Sequence, residues 1–170
     1  PAGAFEVIVA EDGCDDATPE IADEMAASDE RVRHVHSDER LGRGGALERA
    51  FRAADGETLV YFDTDLATDM RHLEELVESI RTEGYDVATG SRWISGQEAD
   101  RPAKRGVPSR AFNGLTRLFL RSELQDHQCG FKAFDRDALE ALVPEVQDQH
   151  WFWDTEILVK AQRRGYRVKE

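Results

Sequence analysis

Short apolar runs that end abruptly in acidic residues are the feature that most constrains this sequence. Leu59 to Phe62 is apolar throughout and is followed by Asp63 and Asp65. A run that is apolar at every position is typical of a strand buried on both faces of a parallel sheet. In open α/β sheets, ligands bind beyond the carboxyl ends of the strands. The sequence therefore predicts that Asp63 and Asp65 lie at a binding site.

The spacing of these two aspartates suggests a metal site. Side chains two residues apart lean to the same side of an extended backbone, and a pair of carboxylates suits Mg²⁺ or Mn²⁺. The pattern alone is weak evidence, because 17 of the 170 residues are aspartate and a second Asp-x-Asp triplet occurs at 135–137. Only the first triplet follows an apolar run, whereas the second is typical of a capped helix start.

Strand-like and helix-like patterns alternate along the chain. Strands are expected at residues 5–10, 32–36, 59–62, 85–89, 128–134 and from 166 onward, and helices at 18–27, 42–51, 69–83, 109–120, 135–143 and 153–164. This alternation predicts βαβ units, and hence an α/β fold with a mostly parallel sheet flanked by helices. Residues 93–107 are polar and contain glycine and proline, which predicts a long functional loop.

Composition limits the class of protein and its partners. A length of 170 residues suits one domain with its own core. The formal net charge of −13 argues against nucleic acid or an anionic membrane as a partner of the bulk surface. Eighteen of the 22 basic residues are arginine, and a lysine-poor, acid-rich surface suits a salt-rich cytoplasm. Two cysteines are too few for a secreted disulfide framework, so an intracellular setting is expected.

The ends of the chain indicate a piece of a longer protein. The sequence begins with Pro1, almost directly before the first expected strand, and shows no signal peptide. It contains no apolar run of the length that a membrane span needs.

Further polar residues stand next to the expected strands and helices. Glu11 and Asp12 could accept hydrogen bonds from a ribose or a base, although the segment is also typical of a solvated turn. Arg43 lies in the glycine-rich segment 42–45, where backbone N–H groups at a helix start could bind a phosphate; a plain glycine loop is the alternative. Arg92, Arg105 and Arg110 lie in or beside the long loop, and arginine binds phosphate through two hydrogen bonds.

Two segments near the end of the chain combine unusual residue types. Asp126 to Lys132 places a carboxylate, an amide and an ammonium around a glycine. Cysteine-based zinc binding is not predicted there, because Cys14 and Cys129 are 115 positions apart, and the five histidines show no ligand spacing. Residues 151–153 are aromatic and precede Asp154 and Glu156, which suggests either a helix packed by its aromatic residues or a platform for a sugar or lipid.

Six ordered segments carry a resemblance to a known family. They are VIVAEDGCDDAT at 7–18, RLGRGGA at 40–46, DTDL at 63–66, GSR at 90–92, DHQCGFKAF at 126–134 and WDTEILVKA at 153–161. In this order they resemble the motifs VIVDDGSxDxT, NxGKGxA, DADL, GSR, DxQCGFKxF and FDTEILxKA of family-2 glycosyltransferases, specifically the dolichyl-phosphate mannose or glucose synthases.

The resemblance implies a GT-A fold, with residues 1–170 forming one catalytic domain that is truncated at both ends and lacks the first strand and helix. It implies transfer of a hexose, with inversion, from a nucleotide-diphosphate sugar to a polyprenyl (dolichyl) phosphate. Such an acceptor would place the full-length protein at the cytoplasmic face of a membrane. A Mg²⁺ or Mn²⁺ ion is the implied cofactor, held by Asp63 and Asp65.

The resemblance also implies roles for individual residues. Asp12 would contact the nucleoside, while Arg92, Arg105 and Ser109 would meet phosphates of the donor or acceptor. The predicted substrate-binding residues are Glu11, Asp12, Arg43, Asp63, Arg105, Ser109, Arg110 and Lys132. The predicted catalytic residues are Asp65, Arg92, Asp126, Asp154 and Glu156, the last three as general bases if the acceptor is a hydroxyl. Ala67 stands where the family often has a further metal-binding glutamine, so the metal would be held more loosely or by Asp69.

Three other functions compete with this interpretation. The chain could be a family-2 glycosyltransferase that acts on a sugar hydroxyl, or a non-catalytic fragment that binds a nucleotide sugar. It could also be a sugar-phosphate nucleotidylyltransferase, but the glycine-rich signature of that class is expected on a first strand that this sequence does not contain.

The acidic composition predicts dependence on salt. In about 1 M KCl the Debye length is about 3 Å, so repulsion among surface carboxylates is screened. Transfer to low-salt buffer should lower the unfolding temperature, by about 2–4 °C for each kcal/mol of stability lost. Calorimetry across a KCl series would measure this, with equal concentrations of a neutral sugar as control. An unfolding temperature that is independent of salt would contradict the expectation.

Overall fold

The computed structural model describes residues 4–65, 68–93 and 103–170, with the side chains of 103–108 and 110 excepted. Strands and helices alternate in this part of the chain, as expected. The strands are β1 (Val7–Asp12), β2 (Val32–Ser37), β3 (Thr58–Phe62), β4 (Val87–Thr89), β5 (Phe131–Asp135) and β6 (Val168–Lys169). The α-helices are α1 (Thr18–Ser28), α2 (Gly42–Ala53), α3 (Leu73–Arg81), α4 (Ala103–Leu120), α5 (Arg136–Leu142) and α6 (Trp153–Arg163).

The strands form two sheets in the described residues. Strands β1 and β2 pair in parallel, and the second sheet has the order β3-β5-β4-β6. Strand β5 runs antiparallel to both β3 and β4, while β4 and β6 are parallel. The α/β class is therefore as expected, but the sheet is mixed and not mostly parallel. The apolar pattern of β5 indicates that the strand is buried on both faces. Burial alone does not show whether a strand runs parallel or antiparallel to its neighbours, so the direction of β5 was not predicted.

Several boundaries differ from the sequence-based expectations. Strand β1 is shifted by two residues, so that Glu11 and Asp12 form its last two positions. Strand β5 begins at Phe131 and not at Gln128, because the preceding residues turn around the side chain of Asp126. Helix α4 begins at Ala103, within the stretch expected to be a loop.

Local hydrogen bonds explain where several helices begin. The Asp135 carboxylate accepts a bond of 3.1 Å from the amide of Ala138 and caps α5, as its sequence predicted. The Asp69 carboxylate accepts a bond of 3.0 Å from the amide of Arg71 and caps a short 3₁₀ turn that leads into α3. At the start of α1, the amide of Thr18 donates a hydrogen bond of 2.9 Å to the Asp16 carboxylate.

Both faces of the four-stranded sheet are covered. One face carries Tyr61 and Phe134, whose rings pack with Phe51 of α2 and Trp153 of α6 at centroid distances of 5.9–6.4 Å. The other face packs against α3 through Leu76 and Ile80 together with residues of β4 and β5. Helices on both faces account for the apolar runs in β3 and β5.

None of the described helices is both long enough and apolar enough to cross a bilayer.

The core position of Leu139 makes it a test of this packing. Leu139 of α5 is buried in the larger core cluster, whereas Leu118 of α4 is 72% exposed. Leu139→Ala should lower the free energy of unfolding by about 2–5 kcal/mol, because it leaves a cavity. Leu118→Ala serves as the matched control and should change it by about 0.5 kcal/mol or less. Urea titration measures both; similar losses for the two variants would contradict this placement of α5.

Candidate active site

A buried lysine lies at the centre of the candidate site. Lys132 is the second residue of β5, is 0% exposed, and stands opposite Tyr61 in the β3–β5 ladder. Its ammonium donates a hydrogen bond of 2.8 Å to Asp154 Oδ1 and another to the carbonyl of Cys129. A buried ammonium without a partner would cost several kcal/mol, so the burial of Lys132 depends on its pairing with Asp154.

Asp154 lies in the first turn of α6 and gathers three donors. Besides Lys132, it accepts hydrogen bonds from the hydroxyl of Tyr61 and, at 2.7 Å, from Nε of Arg43. Burial alone would raise the pKa of this carboxyl, but the charges of Lys132 and Arg43 outweigh it and hold the pKa below its usual value. Asp154 is therefore an ionised carboxylate whose two oxygens are both engaged.

Arg43 joins this buried group to the end of β3. Its Nη1 donates a hydrogen bond of 2.7 Å to Asp63 Oδ1, while its Nε contacts Asp154. The guanidinium also lies 5.6 Å from the ring centroids of Tyr61 and Trp151. The side chain of Asp63 is 44% exposed, and Asp65 is exposed in the turn that follows. One arginine thus connects the interior to carboxylates that face solvent.

Gly130 makes room for Asp63. A Cβ atom on Gly130 would lie 2.0 Å from Asp63 Oδ2, which is far inside contact distance. The amide of Asp63 also donates a hydrogen bond of 3.1 Å to the carbonyl of Gly130. The glycine in the 126–134 segment is therefore required by the close approach of the Asp63 carboxylate.

Arg92 and Asp126 form a second, separate ion pair. Arg92 Nε and Nη2 donate to the two oxygens of Asp126 at 2.5 and 2.6 Å, and the backbone amide of Arg92 donates to the same carboxylate. Burial would raise the pKa of Asp126, but Arg92 lowers it by more, so the carboxylate stays ionised. The pair ties the residues after β4 to the residues before β5.

The other predicted residues have different surroundings. Glu156 accepts hydrogen bonds from the amides of Gln147 and Asp148 and thereby holds the loop before α6. The Ser109 hydroxyl is buried in α4 and has no hydrogen-bond partner among the described residues. Arg105 and Arg110 lie on α4, but their side chains are outside the described part of the chain.

The glycine-rich start of α2 does not offer the free amides expected for phosphate. The amides of Leu41 and Gly42 donate to Asp12 Oδ2 at 2.7 and 2.9 Å. Those of Gly44 and Gly45 donate to the carbonyl of Gln149. The segment uses these amides on Asp12 of β1 and on the loop before α6, which favours the alternative of a plain glycine loop.

The aromatic residues of 151–153 divide between core and surface. Trp153 is fully buried, in agreement with a helix packed by its aromatic residues, and its ring occupies the space where a Gly44 side chain would lie. Trp151 is largely exposed and lies beside Arg43. Only Trp151 and the partly exposed Phe152 present a surface to a ligand.

Tyr61 and the two histidines of β2 were not among the predicted site residues. Tyr61 was read only as part of an apolar strand, although its hydroxyl contacts Asp154. Glu11, which was predicted to bind substrate, contacts His34 and His36. The available signal for the histidines was the His-x-His pattern of β2, beside a strand whose last two residues are Glu11 and Asp12.

Asp63 and Asp65 supply a donor set that suits Mg²⁺ or Mn²⁺. They are carboxylates at the carboxyl end of β3 and are open to solvent, and Mg²⁺ is commonly bound by one or two carboxylates together with substrate phosphates. Asp69, the alternative ligand, pairs instead with Arg71, which lowers its pKa to about 2. Ala67 lies outside the described residues.

A family model described as "Glycosyl transferase family 2" matches residues 1–143. The chain belongs to glycosyl transferase family 2. This membership agrees with the resemblance of the six ordered motifs.

Named relatives support the same family. Glycosyltransferase AglD of Haloferax volcanii is 76% identical over 170 residues, which are all of this chain and 27% of that protein. A dolichyl-phosphate beta-glucosyltransferase of Drosophila melanogaster is 33% identical over 171 residues, which cover 95% of this chain and 52% of that protein. The chain thus spans between 27% and 52% of the length of these relatives.

Solved structures of glycosyltransferases share the fold. Glucosyl-3-phosphoglycerate synthase from Mycobacterium tuberculosis, in complex with Mn²⁺, uridine-diphosphate and phosphoglyceric acid, has a TM-score of 0.65 at 22% identity over 94% of this chain and 54% of that one. Mannosyltransferase PcManGT from Pyrobaculum calidifontis, in complex with GDP-Man and Mn²⁺, has a TM-score of 0.60 at 23% identity over 96% of this chain and 44% of that one. The chain has the GT-A fold.

The buried pair predicts a large effect for Lys132→Met. This change removes the ammonium but keeps most of the side-chain volume, so Asp154 loses a buried partner. The free energy of unfolding should fall by about 3–5 kcal/mol. Lys169→Met is the control, because Lys169 pairs with Glu83 at the surface, where a pair contributes about 0–1 kcal/mol. Denaturant titration measures both; equal effects would contradict the role of the buried pair.

Proposed function

We propose that this chain is the catalytic domain of a longer inverting glycosyltransferase that transfers a hexose from a nucleotide-diphosphate sugar to a polyprenyl (dolichyl) phosphate. The family is that of glycosyltransferases, and a relative at 33% identity is a dolichyl-phosphate beta-glucosyltransferase. The acceptor class and the donor class are part of this proposal. With a lipid acceptor, the full-length protein would work at the cytoplasmic face of a membrane.

One observation favours a phosphate acceptor over a sugar hydroxyl. The three carboxylates considered as general bases are all engaged: Asp126 with Arg92, Asp154 with Lys132 and Arg43, and Glu156 with two backbone amides and Lys160. The pKa of each is lowered, so each is a weak base. A phosphate monoester has a second pKa near about 6 and is already largely ionised at neutral pH, so its attack needs no strong base.

The leaving diphosphate requires positive charge, and residues at the carboxyl ends of β3 and β4 are suited to supply it. Asp63 and Asp65 would hold the Mg²⁺ or Mn²⁺ ion, which neutralises charge that develops on the diphosphate. Arg43 keeps the Asp63 carboxylate in place through its bond to Oδ1. Arg92, held in one orientation by Asp126, is the cation that we assign to the phosphates.

The buried residues of the site then act as supports and not as reacting groups. Lys132 and Tyr61 fix Asp154, which fixes Arg43, and Arg43 orients Asp63. Lys132 therefore contributes to the reaction through the position of a ligand, although the sequence suggested direct contact with substrate. Asp12, which binds the amides at the start of α2, is assigned to the nucleoside by resemblance alone.

The metal role predicts loss of transfer in Asp65→Asn. The full-length protein would be assayed with dolichyl phosphate and a panel of nucleotide sugars. We expect activity to fall by about 100-fold or more, because a charge-stabilising group is lost, and excess chelator should have the same effect until Mn²⁺ or Mg²⁺ is restored. Asp137→Asn, in the second Asp-x-Asp triplet, is the matched control and should keep full activity.

The outcomes of this assay distinguish the proposal from its competitors. Full turnover of Asp65→Asn, or turnover undiminished in chelator, would refute the metal role. Transfer to sugar hydroxyls but not to dolichyl phosphate would favour the other type of family-2 enzyme. Binding of a nucleotide sugar in calorimetry without any transfer would favour a non-catalytic binding domain.

A further inference from the structure

Three side chains that commonly bind metals meet on the β1–β2 pair, and only one of them, Glu11, is a predicted substrate-binding residue. They are Glu11 of β1 and His34 and His36 of β2. Glu11 lies directly opposite His36 in the parallel register, and His34 lies opposite Val9. Because side chains alternate along a strand, these positions share the same face of the sheet. Helix α1 packs on this face, since its Asp23 contacts His34.

The distances among the three side chains match those of ligands on one ion. One potential ligand atom from each residue lies within 4.8 Å of the others, and His34 Nε2 is 3.2 Å from Glu11 Oε1. His36 Nδ1 contacts the same oxygen. Ligand atoms bound to tetrahedral zinc at about 2.1 Å lie about 3.4 Å apart, so only small movements are needed.

In each histidine, the ring nitrogen that points away from Glu11 contacts a second carboxylate. His34 Nδ1 contacts Asp23 Oδ1 at 2.7 Å, and His36 Nε2 contacts Asp38 Oδ1 at 3.0 Å. In metal sites, a carboxylate on the outer nitrogen of a histidine orients the ring so that the inner nitrogen can bind the ion. Both inner nitrogens, His34 Nε2 and His36 Nδ1, are the ones that face Glu11.

The glutamate itself is incompletely satisfied. Glu11 is buried, and its Oε2 atom accepts no hydrogen bond from a nitrogen or oxygen of the described residues. The thiol of Cys14 is the neighbouring group that interacts with this carboxylate. A buried carboxylate oxygen without a strong partner carries a desolvation cost that a cation would remove. The imidazole of His36 is 39% exposed, so the group can be reached from solvent.

We propose that Glu11, His34 and His36 bind a divalent transition-metal ion, with Zn²⁺ as the best match. Imidazole nitrogens favour zinc and similar ions over Mg²⁺, and two histidines with one glutamate form a recognised three-ligand zinc set that leaves one coordination position open. This site shares no residue with the Asp63 and Asp65 pair and does not depend on the proposed transferase activity. A bound ion would join β1 to β2 and, through Asp23, to α1. It would also leave Glu11 unavailable to a nucleoside.

The test is binding of Co²⁺, a spectroscopic substitute for Zn²⁺, to the complete protein. The protein is stripped with chelator, supplied with Co²⁺ in a large excess of Mg²⁺, and passed through gel filtration before metal analysis. We expect one Co²⁺ per chain, visible absorption typical of four- or five-coordination, and displacement by an equivalent of Zn²⁺. The unfolding temperature should rise with Zn²⁺ concentration, because the ion binds the folded state.

Variants locate the ion. His36→Ala should weaken Co²⁺ binding strongly, and Asp38→Asn should weaken it by about 10–100-fold. Asp38 is 98% exposed, so the second variant keeps the test valid if the first one fails to fold. His72→Ala, which changes an exposed histidine elsewhere, is the matched control and should bind normally. Asp65→Asn should also keep its Co²⁺.

Several results would overturn the proposal. One is the absence of stoichiometric Co²⁺ uptake, which would leave a cluster that binds only protons. Another is uptake that His36→Ala and Asp38→Asn do not change. A third is uptake that Asp65→Asn abolishes, since that would assign the ion to the aspartate pair. Loss of transferase activity in any variant has no bearing on these outcomes, because the readout is metal content and absorption.

Discussion

The pairing of a buried ammonium with a buried carboxylate determines how the candidate active site is assembled. Lys132 belongs to β5 and Asp154 to α6, and neither could be buried alone without a cost of several kcal/mol. Arg43 of α2 extends the pair to Asp63 at the end of β3. These charged contacts therefore fix the relative positions of β3, β5, α2 and α6. The position of the exposed Asp63 carboxylate is set by the buried residues behind it.

Much of the fold could be predicted from local patterns, because a buried strand requires an apolar run and a helix start favours a capping residue. The apolar run before Asp63 and the cap at Asp135 are examples, and both are found where they were expected. The direction of a strand has no comparable local sequence pattern, and the antiparallel direction of β5 was therefore not predicted. The role of the glycine-rich segment was also missed, because its amides bond to Gln149, which lies about a hundred positions away.

Contacts between residues that are distant in sequence also determine the surroundings of single side chains in the site, and local patterns do not predict these contacts. Residue type and motif order identified Asp63, Arg92 and Lys132 as site residues. They did not predict which of these side chains is exposed to solvent. Lys132 is fully buried, and this depends on a partner in a distant helix. The grouping of Glu11 with His34 and His36 was not predicted for a similar reason, since these side chains become neighbours only through the register of β1 and β2.

The reversed direction of β5 has a consequence for which segments can influence the site. Its amino-terminal end lies at the same edge as the carboxyl ends of β3 and β4, where Gly130 meets Asp63 and the carbonyl of Phe131 accepts from Gly90. The segment that precedes β5 and the segments that follow β3 and β4 thus meet at the same edge of the sheet. An insertion ahead of β5 would reshape the mouth of the site directly, whereas one after β5 would open onto the opposite side of the molecule.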